Sequence, residues 1–276
     1  MLEIPESKTI AEQLNRAVAG RTITEVMAAQ SPHGFACYNG EPSAYPGLLT
    51  EKRIEKAEAN GGQVEFFLEE MRLSLNDGVN LRYLSADKPL PKKHQLYLGL
   101  DDGSKLVCTV QMYGGLMAYP AGAYDNYYYL VAKEKPNPLT GAFDEAYFMA
   151  LCREAGPKSS AKELLATQQR IPGLGNGCSQ DILFQARVHP QSKLSALSDG
   201  EVEALYKSVK ETLAAMAEGG GRDTEKDLYG LSGGYNTLLS SKTKDTPCPV
   251  CGGVILRKAY LGGNVYFCPT CQPVKK

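Results

Sequence analysis

Ile171-Pro-Gly-Leu-Gly-Asn-Gly-Cys-Ser-Gln-Asp-Ile-Leu-Phe-Gln-Ala-Arg-Val-His-Pro190 is the stretch on which the reading of this 276-residue chain turns. Gly173 and Gly175 allow a tight turn, because glycine reaches backbone angles that other residues avoid. The residues after them read as a helix. Asn176 stands where a side chain can cap that helix, and the free amides of a helix start suit a phosphate. Taken alone, the stretch is a helix-turn-helix connection of a kind many folds use.

Outward to the C-terminus lies the strongest chemical signal. Cys248-Pro-Val-Cys251 is followed, after sixteen residues, by Cys268-Pro-Thr-Cys271. Two such knuckles, joined by a β-hairpin, bring four thiolates around Zn²⁺. Gly252-Gly253 suits the turn after the first knuckle and Gly262-Gly263 the hairpin tip. Two disulfides or a redox pair are the alternatives. Four protein ligands leave no open position, so the metal's expected role is structural. A zinc ribbon by itself does not specify a partner.

The other four cysteines, Cys37, Cys108, Cys152 and Cys178, are scattered singly and read as ordinary reduced residues. His33, His94 and His189 share no metal spacing and read as structural, with His94 beside Lys92-Lys93 near any DNA. The net charge of −1 argues mildly against nucleic acid. Its distribution softens that: from Lys242 to Lys276 there are six cations against Asp245 alone. With no long apolar run and no basic leader before an apolar stretch, the chain is expected to be cytoplasmic.

Working back to the N-terminus, Ile10, Leu14, Ala17 and Val18 give one amphipathic helix over residues 6–19. From about 21 to 132 short β-rich runs alternate with turns such as Asn60-Gly-Gly, Asn76-Asp-Gly and Asp101-Asp-Gly, as in a β-sandwich. Lys133-Glu-Lys-Pro-Asn-Pro-Leu-Thr-Gly is a linker by composition. Helical pattern follows, with capping boxes at Ser160-Ala-Lys-Glu163 and Ser198-Asp-Gly-Glu201. Val202, Leu205, Val209, Leu213 and Met216 form a core-facing stripe that ends at Gly219-Gly-Gly.

The turn of residues 171–190, set beside the cysteine tail and the start Met1-Leu2-Glu3-Ile4-Pro5-Glu6, resembles the formamidopyrimidine-DNA glycosylase/endonuclease VIII family. The resemblance covers nearly the full chain. It implies an α+β multidomain protein: an N-terminal helix plus two-sheet β-sandwich (1–133), a linker (134–141), a helix–two-turn–helix domain (142–241) and a zinc ribbon (242–276). It implies a monomer with duplex DNA, damaged or abasic, in the cleft between the domains. By the same resemblance, Asn176, with Gly175 before it, contacts the phosphate flanking the lesion, and Cys248, Cys251, Cys268 and Cys271 hold Zn²⁺.

The implied chemistry starts at the N-terminus. Family members lose Met1 and use the amine of the following proline to attack the sugar C1′ and form a Schiff base, with the adjacent glutamate as acid/base. An α-amine has a pKa of about 7.7–8.0 against about 10.4 for lysine, so a useful fraction is nucleophilic near neutrality. Here Glu3 and Glu6 match the two family carboxylates, but Leu2 stands where proline belongs. A leucine is expected to leave Met1 in place, and a misplacement of about 1 Å can cost about 10²-fold. Other positions also depart. Gln63 replaces a phosphate-gripping lysine and Gly263 an arginine. Gln111-Met112-Tyr113 takes the place of the segment that fills the hole left by an extruded base, and the other wedge falls at Val79.

Without the resemblance, Glu6 reads as a first-turn acid and Glu3 as a solvated residue. Three functions follow: a glycosylase and AP lyase; a catalytically silent binder of damaged DNA; or a fold redirected to RNA or a protein partner.

Overall fold

The computed structural model describes residues 2–276, so the expectation about Met1 lies outside the described residues. The opening helix, α1 (Ile4–Ala17), starts two residues before the periodic apolar pattern does. Pro5 sits in its first turn, where proline's fixed φ and missing N–H cost nothing. Seven strands follow: β1 (Ile23–Ala28), β2 (Ala36–Tyr38), β3 (Lys56–Asn60), β4 (Gln63–Leu68), β5 (Met71–Leu84), β6 (Leu96–Leu100) and β7 (Lys105–Pro120), with a short helix α2 (Tyr45–Leu49) between β2 and β3.

The strands form one hydrogen-bonded sheet in the order β1-β6-β7-β5-β4-β3, with β2 parallel to β7. The two long strands make it a sandwich. Residues 71–77 of β5 pair with 114–120 of β7, next to β4, while 79–84 pair with 105–110, next to β6. Each long strand thus passes from one half to the other, and the register shifts between Asp77 and Val79. Such a bulge lets a strand bend and twist sharply. Its glycines are obligatory: a Cβ on Gly78 would lie 2.1 Å from Gln111 O, and one on Gly114 2.9 Å from Val79 Cγ2. Leu14, Ile23, Phe66, Leu73, Leu98 and Leu116 meet in the core between the halves.

Beyond the sandwich come α3 (Tyr127–Glu134), α4 (Glu145–Ala155), α5 (Ala161–Ala166), α6 (Asn176–Gln185) and α7 (Asp199–Glu218), then the hairpin β8 (Leu256–Tyr260) and β9 (Gly263–Phe267). Both capping boxes are present at the starts of α5 and α7. Leu205, Val209, Leu213 and Met216 of the α7 stripe are fully buried in a second core with Phe143, Phe148 and Ile182. Ile4 belongs to that second core while Leu14 belongs to the first, so α1 ties the two together. No helix among the described residues is long and apolar enough to cross a membrane.

α3 falls where sequence reading saw strand texture running into a linker. Asn126 caps it by accepting from Tyr128 N and Tyr129 N, and tertiary contacts hold it. Buried Glu65 of β4 accepts from Tyr129 OH (2.6 Å), Tyr119 OH (3.2 Å), Asn60 Nδ2 (3.2 Å) and Lys133 Nζ (3.0 Å). The tyrosines of this segment therefore divide. Tyr119, Tyr124 and Tyr129 pack together, and Tyr127 and Tyr128 stay exposed. Glu65→Ala should cost about 2–3 kcal/mol, because it strands buried hydroxyls and an ammonium. The expected outcome is a lower urea midpoint and faster proteolysis at residues 120–135; an unchanged midpoint refutes the latch.

Candidate nucleic-acid site at the N-terminus

Three segments meet at the start of the chain. Leu2 N donates to Asp77 O (2.7 Å) at the sheet crossover, and Ile4 N donates to Gly173 O (3.0 Å) in the turn before α6. Residues 2–4 thus run as a strap between sandwich and helical body. The approach is closer than any side chain tolerates. A Cβ on Gly62 would lie 2.9 Å from Leu2 O, and one on Gly173 (φ +78°) would lie 2.0 Å from Gly62 N. The Leu2 side chain is buried in the sandwich core.

Glu3, next on the strap, is 3% exposed. Its carboxylate caps α6 from outside the helix. Oε2 accepts from Gly175 N (3.0 Å) and Cys178 N (2.9 Å), and Oε1 accepts from Gly177 N (2.9 Å). Three expectations are corrected here. Gly175, not Asn176, occupies the cap position, and it has no side-chain cap. The free amides suited to a phosphate are already filled by the chain's own anion, because a buried carboxylate satisfies a helix start better than an asparagine amide does. Glu3 is no solvated residue.

Behind Glu3 stands Arg222, 2% exposed, in the loop after α7. Its Nη1 reaches Glu3 Oε1 (3.3 Å), its Nη2 donates to Glu6 Oε2 (2.9 Å), and its Nε and main-chain N donate to Glu6 Oε1 (3.0 and 3.1 Å). Glu6 is therefore half of a buried bidentate pair rather than a helix-dipole acid at the surface. Gly177 is needed for the guanidinium to fit, since a Cβ there would lie 1.5 Å from Arg222 Nη1. Burial pushes the Glu3 carboxyl up, but the Arg222 charge and the Cys178 and Gly177 hydrogen bonds outweigh it and hold the group below its ordinary value. Glu3 is thus a permanent anion at neutral pH. Sequence reading missed Arg222, which lies 216 residues from Glu6 with no local pattern to mark it.

The remaining sequence-predicted residues separate into two groups. Met112 (67% exposed, φ +68°), Tyr113 (48%) and Gln111 project from the crossover. Val79 does not: it is 2% exposed, because the bulge at Gly78 turns it inward, so it cannot serve as a wedge. Gln63 is also turned away from the surface. It donates to Tyr128 O (3.2 Å) and accepts from Ser74 Oγ (3.2 Å), so it serves as an internal hydrogen-bond link between β4, β5 and α3.

Asn176 opens α6 at the ribbon, where its Nδ2 donates to Asn264 O (3.1 Å) and its Oδ1 is buried with no partner. Beside it Lys162, 2% exposed, donates to Tyr260 O (2.7 Å). Gly263 closes this corner, where a Cβ would lie 3.4 Å from Asn176 Oδ1 and 3.6 Å from Lys162 Nζ. Lys162 is a second residue that sequence reading passed over, hidden inside a capping box.

At the far side of the ribbon the four sulfurs of Cys248, Cys251, Cys268 and Cys271 lie within 4.8 Å of one another. Tetrahedral Zn–S bonds of about 2.3 Å put sulfurs about 3.8 Å apart. The Cys248–Cys271 and Cys251–Cys268 separations of 3.8 and 3.4 Å fit that ion. The ribbon contributes only Ile255 and Tyr266 beside its cysteines to a small core, which Phe184 of α6 and Leu239 complete. Zn²⁺ binding, worth roughly 10–16 kcal/mol in small peptides, supplies what that core lacks.

Three outcomes follow from this geometry. Arg222→Met leaves two buried carboxylates facing each other and should cost about 3–5 kcal/mol, roughly 10 °C in Tm. Because the folded Glu3 pKa is depressed, its contribution is present above the ordinary carboxylate range and is lost as pH falls through the lower folded value. Glu3→Gln should accordingly flatten the acid limb of the stability profile below about pH 4; an unaltered limb contradicts the assignment. Chelation of zinc should expose the amides of residues 245–272 to hydrogen exchange while α7 stays protected. A ribbon equally protected without metal removes zinc's structural role.

Comparison with known proteins agrees with this arrangement. The family described as "Formamidopyrimidine-DNA glycosylase H2TH domain" matches residues 135–227. A formamidopyrimidine-DNA glycosylase of Brevibacillus brevis is 29% identical over 278 residues, 99% of each chain. One of Symbiobacterium thermophilum is 30% identical over 282 residues, covering 99% of this chain and 90% of its own. The crystal structure of the MutM (Fpg) protein of Thermus thermophilus superposes with a TM-score of 0.81 at 26% identity, covering 99% of this chain and all of the other. With its sandwich, its two-turn connection and its four-cysteine ribbon in the shared order, the chain belongs to the formamidopyrimidine-DNA glycosylase family.

Proposed function

We propose that this protein binds damaged or abasic duplex DNA and acts on it as a DNA glycosylase and AP lyase, with its chemistry centred on Leu2 and Glu3. The observation that carries the reading is the fixed Glu3 carboxylate, held by three amides and Arg222, one residue beyond a main-chain nitrogen pinned at the sheet crossover. Relatives support the substrate class. The Brevibacillus protein bears the name formamidopyrimidine-DNA glycosylase, and Lactococcus lactis Fpg, which shares the fold, is known in a complex with abasic-site DNA.

In this reading DNA lies between sandwich and helical body. Met112, Tyr113 and Gln111 face the gap left by the lesion. Asn176 contacts the phosphate beside it, at the end of an α6 whose own amides are occupied. An amine at the start of the chain adds to C1′ of the abasic aldehyde, and loss of water gives a cationic Schiff base. Glu3, ionised throughout, stabilises that cation but cannot donate a proton at neutral pH. Elimination then removes a proton from C2′ and breaks the C3′–O bond. The division drawn from the sequence, three domains with a linker at 134–141, is the framework we adopt for this arrangement. A structural Zn²⁺ keeps the ribbon folded against α6.

One observation favours a second reading, a silent binder of damaged DNA. Gln63 points inward and position 263 carries no side chain, so two places where the resemblance expects cations have none. Borohydride trapping on duplex DNA with an abasic site separates the two. A covalent adduct mapped to the N-terminal residue, and absent when the α-amine is blocked by acetylation, supports the lyase. Bound DNA without an adduct establishes the silent binder instead.

A further inference from the structure

We propose that Phe35, on the loop stapled to the segment that follows Lys92 and Lys93, forms a stacking site for the unpaired base of a damaged duplex, extending the surface of Met112 and Tyr113. The inference rests on the DNA reading above but not on catalysis. Phe35 is 68% exposed, more than any other large apolar side chain described. Its backbone is nonetheless fixed, because Gly114 N donates to Phe35 O (3.0 Å) just before the first paired residues of β2 and β7, Ala36 and Gly114. Gly114 in turn pairs with Asp77, whose carbonyl holds Leu2 N. One hydrogen-bonded row therefore runs from Phe35 through β7 and β5 to the start of the chain. It places this aromatic ring a few strand spacings from the proposed reaction site, next in register to Tyr113.

Charge decides the occupant. The loop carrying Phe35 is stapled to the start of β6: Ser31 N donates to His94 O (3.0 Å), His94 N to Ser31 Oγ (3.2 Å), and Gln95 Nε2 to Ser31 O (3.1 Å). The staple brings Lys92 and Lys93 next to Ser31, four residues before Phe35 on the same loop, both exposed and neither paired with a carboxylate among the described residues. Exposed aromatics on a rigid backbone, next to uncompensated cations, match a base and its phosphates. An apolar protein partner would leave both ammonium groups unanswered. Met112, held at φ +68° in the same crossover, is the kind of strained residue that clusters at ligand sites.

The test uses the full-length, zinc-loaded protein and a duplex with a tetrahydrofuran abasic site opposite 2-aminopurine, with the undamaged duplex as reference. Phe35→Ala should weaken binding to the abasic duplex about ten-fold and abolish the stacking quench of 2-aminopurine, with little change on undamaged DNA. Phe35→Trp should restore both. Lys92→Ala with Lys93→Ala should lower the log–log salt slope by up to about 0.9 per lost phosphate contact. Phe35→Ala with wild-type affinity and quench overturns the proposal while leaving the DNA reading intact. Wild-type protein that binds neither duplex overturns both. A wild-type dimer dispersed by Phe35→Ala assigns the face to a second copy and overturns it as well.

Discussion

Everything at the working end of this molecule depends on one buried guanidinium. Arg222 satisfies Glu6 with two donors and shares Glu3 with the start of α6. Three elements distant in sequence, namely the N-terminal strap, the two-turn connection and the loop after α7, are thereby locked into one geometry. A buried ion pair is poor evidence of net stability, since desolvation offsets most of its attraction. Its value here is specificity of arrangement. Each partner is costly to bury without the others, so only one register of strap against helix satisfies all of them.

That arrangement has a consequence for anions. A helix N-terminus is ordinarily a ready phosphate site, yet α6 spends its amides on Glu3. Negative charge arriving from outside must then be met by side chains rather than by the start of α6, and Lys162 at the ribbon corner is itself buried against Tyr260 O. The protein is thus less a cationic cradle than a fixed internal carboxylate with a polar rim, in keeping with a net charge of −1. The sheet crossover plays the complementary part. Its bulge turns Val79 inward and Gln111, Met112 and Tyr113 outward, so the crossover itself presents uncharged side chains.

The sequence by itself determined the order of the main units and the elements with strong local signals. Capping boxes at Ser160 and Ser198, the stripe from Leu205 to Met216 and the paired cysteine knuckles are local patterns, and local physics sufficed to read them. Gly173 and Gly175 marked a tight turn without saying what the turn packs against. Tertiary structure alone decided the rest. Whether Asn176 or a distant glutamate caps α6, whether Gln63 and Val79 face water or core, and whether residues 127–134 coil or dock as a helix all depend on groups brought together from far along the chain. Arg222 shows the reason plainly: nothing within its own neighbourhood calls for a charge, and only the folded chain supplies the two carboxylates that make its burial tolerable.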